Sequence, residues 1–484
     1  MNTEPEQISS SDDIREQRLA NMKRLQEAGY APFGGAFERT GTLAEVRSGF
    51  EEGKTVRIAG RLVAKRAMGK SIFAHLDDGS DRLQIYAKKD VLGEEAFAAI
   101  KVLDLGDIIG CEGEFFVTRT GEQTVTLKSW TLLSKALQPL PEKFHGLQDV
   151  ETRFRQRYLD LIANPEVRDT FRKRTAIIAE IRKFLFERGF MEVETPMIQG
   201  QAGGAAANPF KTRYEALSTD MFLRIAPELY LKRLLVGGMD KVFELNRNFR
   251  NEGLSRTHNP EFTMLEIYEA YGDVRSMMQL VQDLVTNAAQ QANGQLTVEV
   301  GDRTIDLTPP WRTVPYADLI REAAGDDYFD LSLDEQKARA ESLGASIDPA
   351  WGEVEVTQEI FEKKIEGTLI NPTFVTRLPV GLVPLAKACE DDPALVDVFE
   401  LVIDGKEIAP AYSELNDPVE QRRRFQEQAG DDAEKMDEDF LTALEHGMPP
   451  AGGMGIGIDR LVMVLTGSES IRDVILFPQL KPKA

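Results

Sequence analysis

The stretch "FRNEGLSRTHNPEF", residues 249–262, gathers more polar side chains than a protein core requires. It holds two arginines, two glutamates, one histidine and two asparagines between two phenylalanines. An arginine offers a planar fork to an oxyanion, and a phenylalanine ring offers a stacking face. The stretch therefore indicates a surface that binds a nucleotide. A solvated sheet with surface ion pairs is the alternative interpretation.

The segments on either side of this stretch alternate with a period of two, which is typical of β-strands. The pattern predicts that two sets of side chains share one face of an antiparallel pair. The sets are Asn246, Asn248, Arg250 and Glu252 in the first segment, and Phe262, Met264, Glu266 and Tyr268 in the second. We expect two strands joined by an irregular loop, which together form a polar floor for the nucleotide.

The segment "DVFELVIDGKEIAPAYSELND" predicts a β-hairpin, because Asp404-Gly405 is a favoured two-residue turn. That register places Glu400 and Glu407 on the same side as diagonal neighbours. Two carboxylates so close repel each other unless a cation joins them, and Mg²⁺ bridged to substrate phosphates fits. An exposed hairpin with spare acids is the alternative.

Near the C-terminus, "AGGMGIGIDRLVMVLTG" predicts a glycine-rich turn followed by an apolar helix that begins near Asp459 and Arg460. Glycine allows the backbone to come close to a ligand, and an arginine at the start of the helix can lie over that ligand. The segment has neither the G-x-G-x-x-G nor the Walker arrangement, so neither a Rossmann nor a P-loop site is expected.

The rest of the chain supplies the elements that position these residues. A helix is predicted over residues 12–27, and five short alternating strands between residues 55 and 133 predict a small barrel of the oligonucleotide-binding (OB) type. Such a barrel serves equally well as a packing or interaction module. The predicted division is a helix and lead-in over 1–54, the barrel over 55–138, a linker over 139–165, and a large domain over 166–484. The fold class is α+β, with the large domain built on an antiparallel sheet with flanking helices.

Composition restricts the possible functions. The 484 residues are 42% apolar and 29% charged, and no apolar run approaches the ~18 residues of a membrane span. The first 26 residues are polar and acidic rather than signal-like, so a cytoplasmic protein is expected. Cys111 and Cys389 lack disulfide or metal-type spacing. The net charge of −22 argues against indiscriminate nucleic-acid binding, although residues 151–183 hold nine basic side chains against five acids.

Three stretches resemble the signature motifs of class II aminoacyl-tRNA synthetases. "RGFMEVETPM" resembles the first, dimer-forming motif, "FRNEGLSRTHNPEF" the second and "GIGIDR" the third. Longer stretches resemble the lysine-specific, bacterial branch of that family from about residue 12 to the C-terminus. They are "RIAPELYLKRLLVGGMDKVFELNRNFRNEG", "HNPEFTMLEIYEAY", "KFHGLQDVETRFRQRYLDLI" and "SIRDVILFP". The resemblance implies a homodimer that uses ATP and Mg²⁺ to attach L-lysine to tRNA(Lys) through an adenylate.

The same resemblance implies roles for individual residues. Those on ATP would be Arg250, Glu252, His258, Asn259, Phe262, Glu400 and Arg460, with Arg250, Glu252 and Arg460 catalytic. Those around the lysine would be Gly204, Glu228, Arg250, Glu266, Tyr268 and Glu414. Glu400 and Glu407 would hold Mg²⁺, and Phe73 and Gln84 would read the anticodon. Buried acids suit a cationic substrate and disfavour an apolar one.

Two positions depart from the family pattern. Pro410 stands where the family often has an asparagine that contacts the amino acid, and Asn208 stands where it often has an arginine. Proline removes a side-chain amide and a backbone donor, so a rearranged hold on the amino-acid carboxylate is expected. The alternatives are an enzyme that charges a protein lysine, an aspartyl- or asparaginyl-tRNA synthetase, and a catalytically idle or RNA-binding relative.

Overall fold

The computed structural model of the chain describes residues 11–141, 147–205, 207–429 and 437–482. Residues 1–10 of the predicted lead-in and residues 142–146 of the predicted linker lie outside the described residues. The chain divides into two compact units, Met1–Arg168 and Asp169–Ala484. The boundaries drawn from the sequence within these units stay predictions.

The first unit contains a closed five-stranded barrel in the order β1-β2-β3-β5-β4. Its strands are β1 (Thr55–Met68), β2 (Ser71–Asp77), β3 (Arg82–Lys88), β4 (Ile108–Val117) and β5 (Gln123–Ser134). Its helices are α1 (Ser11–Glu27), α2 (Leu43–Ser48), α3 (Lys89–Leu92), α4 (Glu94–Val102), α5 (Val150–Arg155) and α6 (Arg157–Ala163). Strand β2 shows the expected alternation, because Ile72, Ala74 and Leu76 are buried in the barrel whereas Phe73 is partly exposed. The predicted barrel is confirmed.

The second unit is built on an eight-stranded sheet in the order β14-β15-β16-β17-β18-β11-β10-β6. The strands of this unit are β6 (Met191–Glu192), β7 (Ile198–Gln199), β8 (Lys211–Tyr214), β9 (Thr219–Leu223), β10 (Lys241–Phe249), β11 (Glu261–Ala270), β12 (Thr297–Val300), β13 (Arg303–Asp306), β14 (Arg312–Pro315), β15 (Thr373–Thr376), β16 (Val398–Ile403), β17 (Lys406–Ser413) and β18 (Ala451–Gly457). The six central strands pair antiparallel, and only the pairs at the two edges of the sheet, β14/β15 and β10/β6, are parallel. The α+β class and the largely antiparallel sheet are therefore confirmed.

Helices pack against both faces of this sheet. The helices are α7 (Pro165–Glu187), α8 (Glu228–Val236), α9 (Val274–Asn293), α10 (Tyr316–Ala324), α11 (Leu333–Ser342), α12 (Glu353–Ile360), α13 (Pro418–Ala429), α14 (Glu438–Glu445), α15 (Ile458–Thr466) and α16 (Ile471–Val474). Short 3-10 or π-helical turns lie at Glu215–Leu217, Tyr328–Asp330, Phe361–Ile365 and Glu366–Thr368. Apolar side chains of α7, α9 and α15 pack on Phe243, Leu265 and Ile456 of the sheet. Since strand side chains alternate, Glu244, Glu266 and their neighbours project from the opposite face.

Two local predictions need correction. The glycine run at residues 452–457 forms the central strand β18 rather than a turn, and α15 follows it directly. Strand β10 ends at Phe249, so Arg250 and Glu252 lie in the loop between β10 and β11 rather than in the strand. Among the described residues, no helix is both long enough and apolar enough to cross a lipid bilayer.

Candidate active site

Strands β10 and β11 form the expected polar floor. Their register places Asn248 opposite Phe262, and Glu244 opposite Glu266. A cavity of about 160 Å³ lies where the two strands meet their connecting loop. The residues that the sequence assigned to ATP or metal and that line this cavity are Arg250, Glu252, His258, Asn259, Phe262, Glu407 and Arg460. The structure thus brings together side chains separated by up to 210 positions in the chain.

Arg250 is the central cation of this cavity. Its guanidinium carbon lies 5.2 Å from the centre of the Phe262 ring. Burial lowers the pKa of Arg250, although the carboxylates of Glu252, Glu266 and Glu407 act in the opposite direction. Its Nε is buried and has no hydrogen-bond partner within the described part of the chain. A buried donor without an acceptor is costly, so this side chain is suited to binding an oxyanion.

Arg460 is held at the start of α15 beside the same cavity. It donates to the backbone oxygen of Glu407 at 2.8 Å, and its second terminal nitrogen lies 3.0 Å from His258 Nε2. The preceding residue fixes this end of the helix, because Asp459 accepts from the Thr263 backbone at 2.7 Å and forms an ion pair with Arg174, also at 2.7 Å. The arginine therefore projects from a rigid support.

Asn259 lines the cavity, but its amide is engaged with the backbone. Its Nδ2 donates to the oxygen of Glu261 at 2.6 Å, and its Oδ1 accepts from the Gln479 backbone at 3.1 Å. These contacts hold the loop that follows His258 in place. Asn208, one of the two departures from the family pattern, lies beside the same loop, and its backbone oxygen accepts from the Asn251 backbone at 2.7 Å.

The predicted hairpin has the expected two-residue turn. Ile403 faces Lys406 and Val402 faces Glu407, but a bulge then places Glu400 directly opposite Pro410. Glu400 does not line the cavity, unlike Glu407 and Pro410. Burial and the nearby carboxylates of Glu407, Glu366 and Glu362 raise the pKa of Glu400 to about 8.

These carboxylates fit the ligand set of a Mg²⁺ ion that is shared with phosphates. Within the described residues, no three His, Cys, Asp or Glu side chains lie close enough to enclose a metal ion. Mg²⁺ commonly takes one or two carboxylates and completes its shell with water and substrate phosphates. The mutual repulsion that raises the pKa of Glu400 would be relieved by such a cation.

A cluster of buried acids, called the acid pocket below, lies on the same face of the sheet. Glu228, Glu266 and Glu414 are buried there beside Tyr268, whose hydroxyl donates to Glu266 at 3.1 Å. Burial raises the pKa of Glu266 to about 8, with a further contribution from Glu228. Burial also raises the pKa of Glu414, although the ammonium of Lys232 acts in the opposite direction. The pocket therefore contains several acids that an incoming cation would stabilise in the ionised form.

Glycines make room for this pocket. A Cβ on Gly453 would overlap Glu414 Oε1 and lie 2.6 Å from Tyr268 Cε1. Gly204 has φ +85°, and a Cβ there would lie 3.2 Å from the Cβ of Glu228. The glycine run thus borders the acid pocket, since β18 lies between β11 and β17 and places Gly453 opposite Tyr268 and Gly452 opposite Ser413.

The two barrel residues differ in their surroundings. Phe73 is partly exposed and stacks on Tyr86, with ring centres 4.5 Å apart and planes inclined by 25°. The side chain of Gln84, in contrast, is buried. Its amide donates to Glu122 at 2.7 Å and accepts from Thr124 at 2.8 Å. The Gln84 amide is thereby fixed in one orientation.

Several contacts were not foreseen from the sequence. Lys232 binds Glu228 and Glu414 in the acid pocket, where the Tyr412 hydroxyl also donates to Glu228. The only available signal was the i, i+4 spacing of Glu228 and Lys232 on an amphipathic helix. Glu366 joins the hairpin carboxylates from a turn more than thirty residues earlier, and no local pattern indicates that approach.

Comparisons with known proteins agree with this arrangement. Residues 149–481 match the family described as "tRNA synthetases class II (D, K and N)", and residues 56–133 match the "OB-fold nucleic acid binding domain". A protein of Carboxydothermus hydrogenoformans named "Lysine--tRNA ligase" is 52% identical over 96% of this chain and 97% of its own length. Proteins of the same name from Moorella thermoacetica and Staphylococcus saprophyticus are 51% and 48% identical over 98% of this chain, and over 99% and 100% of their own lengths.

Proposed function

The chain belongs to the lysine–tRNA ligase family of the class II tRNA synthetases, and from this premise we propose that it attaches L-lysine to tRNA(Lys) at the expense of ATP. One observation supports this most directly: a pocket of buried acids lies on the same sheet face as an arginine-lined cavity. The acids suit the two ammonium groups of lysine, whereas they would repel the side-chain carboxylate of an aspartate substrate.

The reaction has two steps and requires no protein nucleophile. The lysine carboxylate attacks the α-phosphorus of ATP in line, the bond to the bridging oxygen breaks, and pyrophosphate leaves. The terminal ribose hydroxyl of the tRNA then attacks the acyl carbon of the lysyl-adenylate, loses its proton, and AMP leaves. The protein accelerates both steps by holding the reactants in register and by stabilising developing charge.

In the first step, Arg250 contacts the α-phosphate and the lysine carboxylate. Its buried Nε without a partner supports this assignment, because an oxyanion would satisfy it. Phe262 stacks on the adenine, and Arg460 covers the other side of the ring. Glu252, His258 and Asn259 surround the rest of the nucleotide. Glu400 and Glu407 would hold Mg²⁺, which would neutralise part of the charge of the phosphates when bound.

The amino acid lies in the acid pocket. Glu228 and the backbone of Gly204 bind the α-ammonium, and their close approach supports the pairing. Glu266, Tyr268 and Glu414 surround the side-chain ammonium. Their raised pKa values support a site that is completed by a cation.

The barrel binds the anticodon through Phe73 and Gln84. The stacked and partly exposed ring of Phe73 supports base stacking, and the fixed amide of Gln84 supports recognition of a base edge. The enzyme works in the cytoplasm, where tRNA is charged for translation.

The enzyme acts as a homodimer through the surface around residues 188–197, which resembles the dimer-forming motif. The exposed apolar side chains of Phe186, Met191, Met197 and Ile198 support this assignment, because such a patch usually marks an interface. Light scattering on the purified protein should report twice the mass of one chain.

Amino-acid-dependent ATP–pyrophosphate exchange tests the proposed function. Each of the twenty amino acids is offered in turn, and only L-lysine should support rapid exchange. Transfer of labelled lysine to tRNA(Lys), but not to tRNA(Asn), then establishes the second step. Exchange with another amino acid and none with lysine would overturn the substrate assignment.

A further inference from the structure

Lys232 is a fully buried cation inside the acid pocket. It lies on α8, one turn after Glu228, and its ammonium is 2.7 Å from Glu228 Oε1. The same ammonium forms an ion pair with Glu414 Oε2, and it lies 5.8 Å from the centre of the Tyr412 ring. One lysine of the protein therefore joins two of the acids that are assigned above to free lysine.

Burial alone would favour a neutral Lys232. Burial acts to lower the pKa of Lys232, but the carboxylates of Glu228 and Glu414 outweigh it and raise the pKa above its ordinary value. Lys232 is therefore a charged group at pH 7. A buried charge of this kind is stable only while its partners stay in place, so the three side chains form one unit.

The outer oxygens of the two acids remain for other partners. Glu228 Oε2 accepts only from the Tyr412 hydroxyl, at 3.2 Å, and Glu414 Oε1 has no hydrogen-bond partner within the described residues. A buried carboxylate oxygen without a donor is costly, and it lies beside Gly453, where no Cβ intervenes. The two oxygens are thus available to donor groups that the described part of the chain does not provide.

We propose that Lys232 is a positioning residue of the amino-acid pocket, which holds one oxygen each of Glu228 and Glu414 and leaves the other two to the ammonium groups of free lysine. This inference rests on the proposed function. Lys232 touches neither ATP nor the reacting atoms, and it acts through the two carboxylates. It also compensates part of the negative charge that would otherwise collect in the pocket.

The charged and titratable groups that face Lys232 or its two partners come from several elements. They are Glu228 on α8, Glu266 and Tyr268 on β11, Tyr412 on β17, and Glu414 directly after β17. Without the Lys232 ammonium, Glu228 and Glu414 repel each other without a counter-ion. Protons then compete with the substrate ammonium groups for these carboxylates.

The test compares Lys232→Gln with the wild-type enzyme in ATP–pyrophosphate exchange. We expect the KM for L-lysine at pH 7 to rise about 30-fold or more, as when one partner of a buried charge pair is removed. The KM for ATP should stay within about twofold, because the change reaches lysine only through Glu228 and Glu414. The lysine KM of the variant should fall more steeply than that of the wild type between pH 7 and pH 8.5.

Lys241→Gln is the matched control. Lys241 forms an ion pair with Glu269 at 2.7 Å on the edge of the same sheet, and its side chain is 39% exposed. Its substitution should change neither KM nor the pH profile. A Lys232→Gln enzyme with an unchanged lysine KM across this pH range would overturn the inference.

Lys232→Arg keeps the test decisive if the glutamine variant does not fold. Arginine retains the charge but replaces a compact ammonium with a planar fork, so it alters the angle at which the two carboxylates are held. Its lysine KM should rise by a smaller factor than that of Lys232→Gln, with a pH profile like the wild type. An arginine variant with wild-type lysine KM would contradict the positioning role.

The exchange assay on the wild-type protein distinguishes a failure of the proposed function from a failure of the inference about Lys232. Wild-type protein that does not exchange pyrophosphate in the presence of lysine would overturn the proposed function itself. Wild-type exchange with lysine, together with an unaffected Lys232 variant, would overturn only the inference about Lys232.

Discussion

The guanidinium of Arg460 donates a hydrogen bond to Nε2 of His258 across 3.0 Å. Because a guanidinium has no acceptor, Nε2 must carry a lone pair and the ring proton must lie on Nδ1. Nδ1 then donates to the Ser255 hydroxyl oxygen at 2.8 Å. The contact therefore fixes His258 in its neutral form, with one tautomer.

Replacing Arg460 by glutamine should raise the pKa of His258. Burial is the largest cause that lowers this pKa, and the positive charge of Arg460 is the next. The wild-type ring therefore titrates below the ordinary histidine pKa of about 6.5, and the variant ring should titrate closer to that value. The chain has only four histidines, which makes the ring resonances tractable by NMR. A His258 pKa that is the same in both proteins would contradict the assigned contact.

Arg250→Ala should reduce lysine-dependent pyrophosphate exchange by at least about 100-fold, because it removes a donor that stabilises charge in the transition state. The fold should persist, as judged by circular dichroism. Arg247→Ala is the control, since Arg247 lies three residues earlier, in β10, with a 42% exposed side chain and should be dispensable. Exchange retained by Arg250→Ala would remove this residue from the mechanism.

Gly453→Ala should raise the KM for lysine by about 10-fold or more, because its Cβ would overlap Glu414 Oε1 and displace a buried carboxylate. The KM for ATP should change little. Gly457→Ala on the same strand is the matched control, since its nearest contact would be an ordinary 3.7 Å to Arg460 Cδ. Equal effects of the two substitutions on the lysine KM would show that Gly453 has no special role in the pocket.

Local patterns were sufficient for the parts of this site that lie on adjacent strands. The period of two in β10 and β11 placed Phe262 and Glu266 on one face, and the Asp404-Gly405 turn gave the correct pairing at the end of the hairpin. The bulge that moves Glu400 opposite Pro410 was not predictable, because nothing in the strand's alternation marks an extra residue.

The errors had a common physical origin in tertiary packing. The glycines of β18 read as a turn because glycine is rare in strands, but at Gly453 the side chains of Glu414 and Tyr268 exclude a Cβ. Lys232 was not singled out by the sequence, because its two carboxylate partners meet only where Glu414 lies beside α8. These partners are determined by contacts between segments that are distant in the sequence, and local periodicity does not predict such contacts.

Glu400→Gln should make the stability of the ligand-free protein less dependent on pH. The folded protein raises the pKa of Glu400 from 4.5 to about 8, so it binds a proton more tightly than the unfolded chain does. The corresponding stability is fully present below about pH 4.5 and is lost as the pH rises through 8. Removing this group should reduce the dependence of the free energy of unfolding on pH by up to about 1 kcal/mol per pH unit.

Thermal unfolding in EDTA at pH 5.5 and pH 8.0 measures this difference. The fall in Tm between the two pH values should be smaller for Glu400→Gln than for the wild type, and the variant should also need more Mg²⁺ for exchange. Glu322→Gln is the control, because the Glu322 side chain is 63% exposed. A variant with the wild-type pH dependence would mean that Glu400 is not the titrating group.

Phe73→Ala should weaken tRNA charging and leave adenylate formation intact. Phe73 is partly exposed and stacks on Tyr86, so it offers a base one free face of its ring. Base stacking on an aromatic side chain contributes about 1–3 kcal/mol, which predicts a loss of about 5- to 150-fold in kcat/KM for tRNA. Lysine-dependent pyrophosphate exchange, which needs no tRNA, should be unchanged. Phe33→Ala, at a ring that is 60% exposed and outside this stack, should affect neither reaction. Equal loss in both reactions would indicate a damaged fold, and no loss in either would exclude Phe73 from the tRNA surface.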